Sequence, residues 1–365
     1  MNKLLTFSII LAVSLTATVK ADFSVTILHP STGYYYSEAH GVSSGQQVGT
    51  GTTIDGFLHA LMWTGSPESV TDLNPTGFSE TYAHSVSEGQ QVGSGSGTAT
   101  GGDSHALLWS GTATSYVDLN PTGYSGSEAY GVYGDQQVGS ATTGGWSHAL
   151  LWSGAATSYV DLNPTGFAYS YAFDISGSQQ IGAGGSATWG YAEHALLWYG
   201  SAGSVVDLNP TGFYSSRANA VFDGKQVGEG MATIGGYNHA MLWTGTAESV
   251  VDLNPLGFES SYAYGVSADN QVGYGQTDEF ESHQHALLWS GTAESVVDLH
   301  SVLPDGFLGS QAFGIDSSGN IVGMAYNYDY TCAVMWTPNV VPVPGAVLLG
   351  ILGLGAVGVK LRKFA

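Results

Sequence analysis

A five-residue phrase recurs seven times at a nearly fixed interval, and no other feature constrains the fold as strongly. His59-Ala60-Leu61-Met62-Trp63 is followed by His-Ala-Leu-Leu-Trp at His105, His148, His194 and His285, and by His-Ala-Met-Leu-Trp at His239. A degenerate last copy, Cys332-Ala333-Val334-Met335-Trp336, closes the series, and successive copies start 43 to 47 residues apart. An interval in the mid-forties is the length of a four-stranded propeller blade. Each unit divides into four strand-sized pieces separated by turn residues; in the third these are residues 129–132, 136–139, 148–152 and 159–164. The first two pieces are joined by a short Ser-Gly or Gly-Asp hairpin. Small residues in the first piece suit a crowded ring axis, and the wide third piece, ending in Trp, suits the interior of a blade. The expected fold is all-β: a seven-bladed β-propeller of four-stranded blades, with a hydrophobic helix at the C-terminus.

The two ends of the repeat array predict closure. Residues 24–30, Ser-Val-Thr-Ile-Leu-His-Pro, align with residues 204–210, Ser-Val-Val-Asp-Leu-Asn-Pro, whereas the last repeat stops after residues 332–338 without such a strand. The N-terminal strand is therefore expected to complete the last blade and remove its open edge. An open solenoid would have no use for that complementarity.

Composition agrees. Hydrophobic residues make up 43% of the 365, enough for a sizeable core, while charged residues are only 10% and glycine (53) and tyrosine (21) are abundant. That profile suits strands and tight turns better than helices. Between Asp22 and Asp329 lie all 29 acidic residues, against two basic ones, Arg217 and Lys225. Such a surface repels nucleic acid and anionic headgroups. A single cysteine, Cys332, excludes an internal disulfide framework.

Both ends read as addresses. Residues 1–21 form a secretory signal peptide: Lys3, an apolar run over residues 4–13, and the small-x-small site Val19-Lys20-Ala21. Residues 22–338 are the repeat body, and residues 339–365 a sorting tail. In the tail, Pro342, Pro344 and Gly345 precede an apolar run to Val359, and Lys360, Arg362 and Lys363 follow. A helix over residues 340–359 would rise about 30 Å, enough to span a bilayer with the basic end cytoplasmic. This end resembles the PEP-CTERM sorting signals that bacterial exosortases process, with Val343 where that signal usually has glutamate. The resemblance implies export through the Sec machinery, transient anchoring in the inner membrane, an exosortase-like enzyme as partner, and an extracellular or cell-surface destination.

The repeats have a likeness of their own. Their Ala-Tyr-Gly-Val, Gln-Gln-Val-Gly, His-Ala-Leu-Leu-Trp and Val-Asp-Leu-Asn-Pro phrases resemble the HAF-type extracellular repeat, with Leu or Met where that family usually has Phe. The likeness covers residues 23–337. It implies a secreted propeller-like array without a defined activity.

Candidate chemistry is sparse. Most of the six repeated histidines have no carboxylate or second histidine beside them at fixed metal spacing, Cys332 stands in the seventh copy, and they are read as structural, each holding a neighbouring backbone group. So are the repeated aspartates, Asp72 to Asp298, whose Asp-Leu-Asn-Pro context suits turn capping. One loop departs from the repeat: Asp278, Glu279, Glu281 and His283 form a weak metal candidate, with a solvated acidic loop as the commoner outcome. No G-x-S-x-G, H-E-x-x-H, phosphate loop or EF-hand is present. The connections from second to third strands and from fourth to next first strands leave one face. They carry Phe57, Trp146, Trp189, Tyr191, Tyr237, Phe280, Tyr328 and Tyr330, plus a repeated Gly-Phe/Tyr set such as Phe78 and Phe167 that suits packed lids. Aromatic rings over an acidic rim could stack on sugars. These features point to a non-enzymatic, cofactor-free surface module that binds or scaffolds extracellular matrix, polysaccharide first among the partners. The rivals are a purely structural envelope protein and a glycan-active enzyme, which would need acids converging in the central channel; Glu38, Glu128 and Asp174 are the ones available.

Overall fold

The computed structural model describes residues 23–186, 188, 192–277 and 283–339. Residues 23–338 form one compact unit of β-strands joined by turns and short 3-10 segments. Five separate antiparallel four-stranded sheets follow the repeats in chain order, and a sixth sheet has eight strands. The eight-stranded sheet combines the last repeat with the first through a single parallel pair, Tyr36 opposite Thr331. The N-terminal strand Phe23–Ile27 pairs antiparallel with Thr331–Pro338, Phe23 opposite Pro338 through Ile27 opposite Val334. The arrangement is that of a β-propeller, with the inner strands of all repeats lining one central cavity.

Local sequence explains each sheet. In the first repeat, Ser44 and Gly45 both have positive φ, 51° and 80°, the turn that suits the twist of a two-residue hairpin between Tyr34–Ser43 and Gln46–Thr53. The glycine of each Gln-Val-Gly phrase answers a different need. A Cβ on Gly93 would lie 1.8 Å from the Tyr82 carbonyl oxygen, and one on Gly49 2.0 Å from that of Glu38. Here the inner strand is bulged, the register shifting between Ala39 and Gly41 and between Ala83 and Ser85, so its backbone crosses close over the second strand. The third strand supplies the core: Ala60, Leu61 and Trp63 are fully buried, and so are all seven repeat tryptophans. Six of the tryptophans sit in clusters with Leu or Val side chains; Trp109, for example, clusters with Val48, Leu73 and Phe78.

The repeated polar residues stitch neighbouring sheets together. His59 donates its Nδ1–H to Asp72 Oδ2 (2.7 Å), and Asp72 Oδ1 accepts the Asn74 amide (2.8 Å). Asn74 Nδ2 lies 3.2 Å from His59 Nε2, while its Oδ1 accepts from Thr81, whose hydroxyl in turn accepts the Ala60 amide. The same His–Asp pair recurs at 2.7–2.8 Å in the next five repeats, so the histidine's partner is a side chain and not a backbone group. Where Cys332 and Ile27 replace that pair, His29 takes the asparagine's place and meets Ser37 Oγ at 2.8 Å. Cys332 is buried, which pushes its thiol up to about 12.

The small residues of the inner strand serve two places: Gly41, Ser85, Ala220, Gly265 and Gly314 line the central axis, and the alanines two positions earlier fill the seam between sheets. Ala39 and Ala83 are fully buried between sheets, and His40 and His84, which follow them, line a cavity of about 560 Å³. The bulge at this point rotates the strand so that the alanines fill the narrow seam. The signal peptide and the sorting tail, including Pro342, Pro344, Gly345, Lys360, Arg362 and Lys363, lie outside the described residues. Among the described residues no helix is long and apolar enough to cross a membrane.

Candidate functional site

Along each inner strand two kinds of position alternate. Ser37, Ala39 and Val42 repeat in type and are buried, whereas Glu38 and His40 vary between repeats and remain partly accessible. The variable positions hold Glu38 and His40 in the first repeat, Tyr82 and His84 in the second, and Glu128 and Tyr130 in the third. Adjacent inner strands bring these together although up to 92 positions separate them.

Two glutamates are held in the same way. Glu38 accepts the Tyr36 hydroxyl at 2.7 Å and His40 Nε2–H at 3.0 Å. Glu128 accepts the Tyr130 hydroxyl at 2.7 Å, His84 Nε2–H at 3.0 Å and the Ser94 hydroxyl at 3.4 Å. A carboxylate only accepts, so Nε2 carries a proton in both imidazoles. Burial raises each carboxyl's pKa, but the bonds from histidine and tyrosine outweigh it, and both glutamates sit below the ordinary range. The charge of His84 reaches Glu38 as well, which couples the two pairs. Burial and the adjoining carboxylates raise Tyr36 and Tyr130, so both stay protonated donors.

The aromatic wall is continuous. Tyr130 meets Phe173 edge-on at 5.5 Å, Tyr264 meets Phe313 at 5.8 Å, and His40 lies 5.3 Å from Phe313. On the fifth repeat Arg217 donates to Glu193 at 2.8 Å and lies 5.0 Å over the Phe173 ring. Beside it burial lifts Glu229 to about 7, against the pull of Arg217 and a hydrogen bond from Asn219. Among the described residues no cluster of three or more potential ligands could hold a metal.

The loop aromatics are placed differently. Phe57, Trp146, Tyr237, Tyr328 and Tyr330 are exposed in or beside connections between second and third strands, Tyr328 at 90%. Trp146 stacks on Tyr169, and Tyr330 meets Phe307. Trp189, Tyr191 and Phe280 lie outside the described residues, as do Asp278, Glu279 and Glu281 of the metal candidate, leaving His283 alone. The repeated Phe78 and Phe167 pack on core clusters as lids. Of the acids available to a channel, Glu38, Glu128 and Asp174 all belong to inner strands. Their partners His40, His84, Tyr36 and Tyr130 were signalled only by varying where their neighbours repeat.

No family model matches the sequence, and no curated protein is similar to it. Solved structures are. A puromycin-hydrolysing peptidase of Mycobacterium tuberculosis superposes with a TM-score of 0.59 at 11% identity, over 88% of this chain and 54% of that one. The acylaminoacyl peptidase of Pyrococcus horikoshii gives 0.54 at 9%, over 87% and 54%. An oligogalacturonate lyase in complex with manganese gives 0.50 at 8%, over 87% and 91%. The chain spans about half the length of the peptidases it matches. At these identities the likeness establishes the fold alone. Against the expectation of a non-enzymatic binding or scaffold module, the structures sharing this architecture are peptidases and a lyase.

Proposed function

We propose that the chain is an exported enzyme that cleaves uncharged glycans in its central cavity, with His40 and His84, which line it, as an acid–base centre held from behind by Glu38 and Glu128. The observation that carries this reading is the double anchoring of Glu38 and Glu128, each by a tyrosine hydroxyl and a histidine Nε2–H. An ionised carboxylate on Nε2 orients the imidazole and stabilises the imidazolium that forms when Nδ1 takes a proton from water. The aromatic walls suit sugar rings, and the preponderance of acids disfavours anionic substrates. A thiol nucleophile is excluded, since Cys332 is buried and its pKa is raised to about 12. The match over 91% of the oligogalacturonate lyase is a precedent for an activity housed in a chain of this extent.

The test is reducing-end release from a panel of neutral oligosaccharides. Glu128→Gln keeps the shape and two acceptor sites but loses the charge, and should lower kcat/KM by about 10²–10⁴-fold. No release by the wild type, or equal rates in the variant, would overturn the reading.

We read the repeats as seven blades of a ring closed by the N-terminal strand. Five sheets stand alone, the eight-stranded one divides at the lone Tyr36–Thr331 pair, and all seven inner strands line one cavity. The HAF-type likeness of the body and the PEP-CTERM likeness of the tail support delivery to the cell surface, where such glycans lie. Mass spectrometry of the mature protein is expected to find a start at Asp22 and an end near Pro344; an intact Ala365 would refute tail processing.

A further inference from the structure

The glutamates of the acid–base centre are both ionised, so the cleavage reaction still lacks a group that protonates the leaving oxygen. One residue of the same cavity breaks the repeat in a way that supplies it. At the position following His40, His84 and Tyr130 the repeats carry Gly41, Ser85 and Gly131, and later Ala220, Gly265 and Gly314; the fourth repeat alone carries an acid, Asp174. Small residues are used there because the position abuts the next inner strand: a Cβ on Gly131 would lie 2.8 Å from Asp174 Cα. Asp174 fits because its carboxylate turns to the following strand, where Oδ2 accepts the Val221 amide at 2.9 Å, and it lines the cavity with His40, His84 and Tyr130.

We propose that Asp174 is the proton donor to the leaving group in this cavity, an inference that rests on the enzyme reading above. In the step, a water oxygen bonds to the anomeric carbon and its proton passes to Nδ1 of His84. The glycosidic C–O bond breaks with both electrons going to the leaving oxygen, and that oxygen takes the proton of Asp174. Burial lifts the Asp174 carboxyl to about 7, against the amide bonds from Val221 and Ile175, so the proton is available near neutrality. The titratable groups sharing the cavity are Tyr130 and Tyr133 from the preceding inner strand, and His40, His84, Tyr264 and Asp316 from others. The following strand, Ser215–Phe222, contributes Asn219 there and no acid.

A proton donor and a merely structural acid differ in how they respond to the leaving group. Asp174→Asn retains an acceptor for Val221, and Asp174→Gly installs the residue of four other repeats, so at least one variant should fold. Both should lose about 10²–10⁴-fold in kcat/KM on neutral oligosaccharides. On 2,4-dinitrophenyl glycosides of the same sugars, whose leaving group needs no proton, they should stay within about tenfold of wild type. Wild-type kcat/KM should fall as pH rises through about 7, because only the protonated acid works, and this limb should vanish in both variants. If Glu128→Gln is inactive while the Asp174 variants match wild type on both substrates and keep the alkaline limb, this inference fails and the enzyme reading stands. If wild type turns over none of these sugars, both fail.

Discussion

Deleting residues 23–28 is expected to leave a protein that no longer folds to a monodisperse monomer. The five-residue strand Phe23–Ile27 pairs along its whole length with Thr331–Pro338, and the Leu28 amide adds a bond to the Ala333 carbonyl at 2.8 Å. Leu28 is fully buried and joins a cluster with Ala39, Trp63, Val322 and Met335, residues of the first and last repeats. Burying Leu28 and Phe23 contributes about 1.5–3 kcal/mol each, and each ladder bond about 1 kcal/mol. The sum is on the order of the whole 5–15 kcal/mol by which domains are stable. Deletion would also expose the Thr331–Pro338 edge to intermolecular pairing. Gel filtration and thermal unfolding by tryptophan fluorescence would show this, and a peptide of residues 22–30 added in trans should restore part of the transition. A monomer with unchanged Tm would mean that the final sheet does not need the strand.

Gly93→Ala should be among the most damaging single methyl additions the chain can receive. The added carbon would sit 1.8 Å from the Tyr82 carbonyl oxygen and 3.0 Å from Ala83 Cα, both backbone atoms that cannot rotate away. Relief requires the bulged inner strand to lift from its partner, unseating Ala83, which is fully buried in the seam. A cost of about 3 kcal/mol or more follows, which at roughly 2 °C per kcal/mol in a domain of this size lowers Tm by about 6 °C or more. Gly203→Ala is the matched control: no atom lies within 4 Å of its added carbon, and the position lies in a short surface 3-10 turn. Its Tm should be unchanged within about 1 °C. Equal melting temperatures for the two variants would mean that the strand crossing is not what keeps glycine in the Gln-Val-Gly phrase.

Much of the architecture was legible because it repeats. The His-Ala-Leu-Leu-Trp phrase marks the third strand of every repeat, since a continuous apolar run ending in tryptophan is buried each time. The match of residues 24–30 to the Val-Asp-Leu-Asn-Pro strands anticipates the pairing of Phe23–Ile27 with Thr331–Pro338, because a missing last strand leaves one place for an extra first one. Turn capping by the repeated aspartates follows from local chemistry alone, as Asp72 and the Asn74 amide illustrate.

Tertiary structure alone decided where function could reside. Glu38 and Glu128 stand 90 positions apart, and nothing local marks either as the partner of a histidine that lines the cavity. Their environment is made by His84 reaching from one strand to the Glu128 of the next, and by a bulge that turns alanines into the seam and larger side chains toward the opening. The exposed aromatics drew attention in the sequence because unusual residues in long connections stand out singly, whereas a cavity lined by one or two residues from each repeat has no contiguous signature. Periodicity specifies what every sheet shares; the chemistry lies in the positions where sheets differ, and those become neighbours only when the inner strands pack side by side.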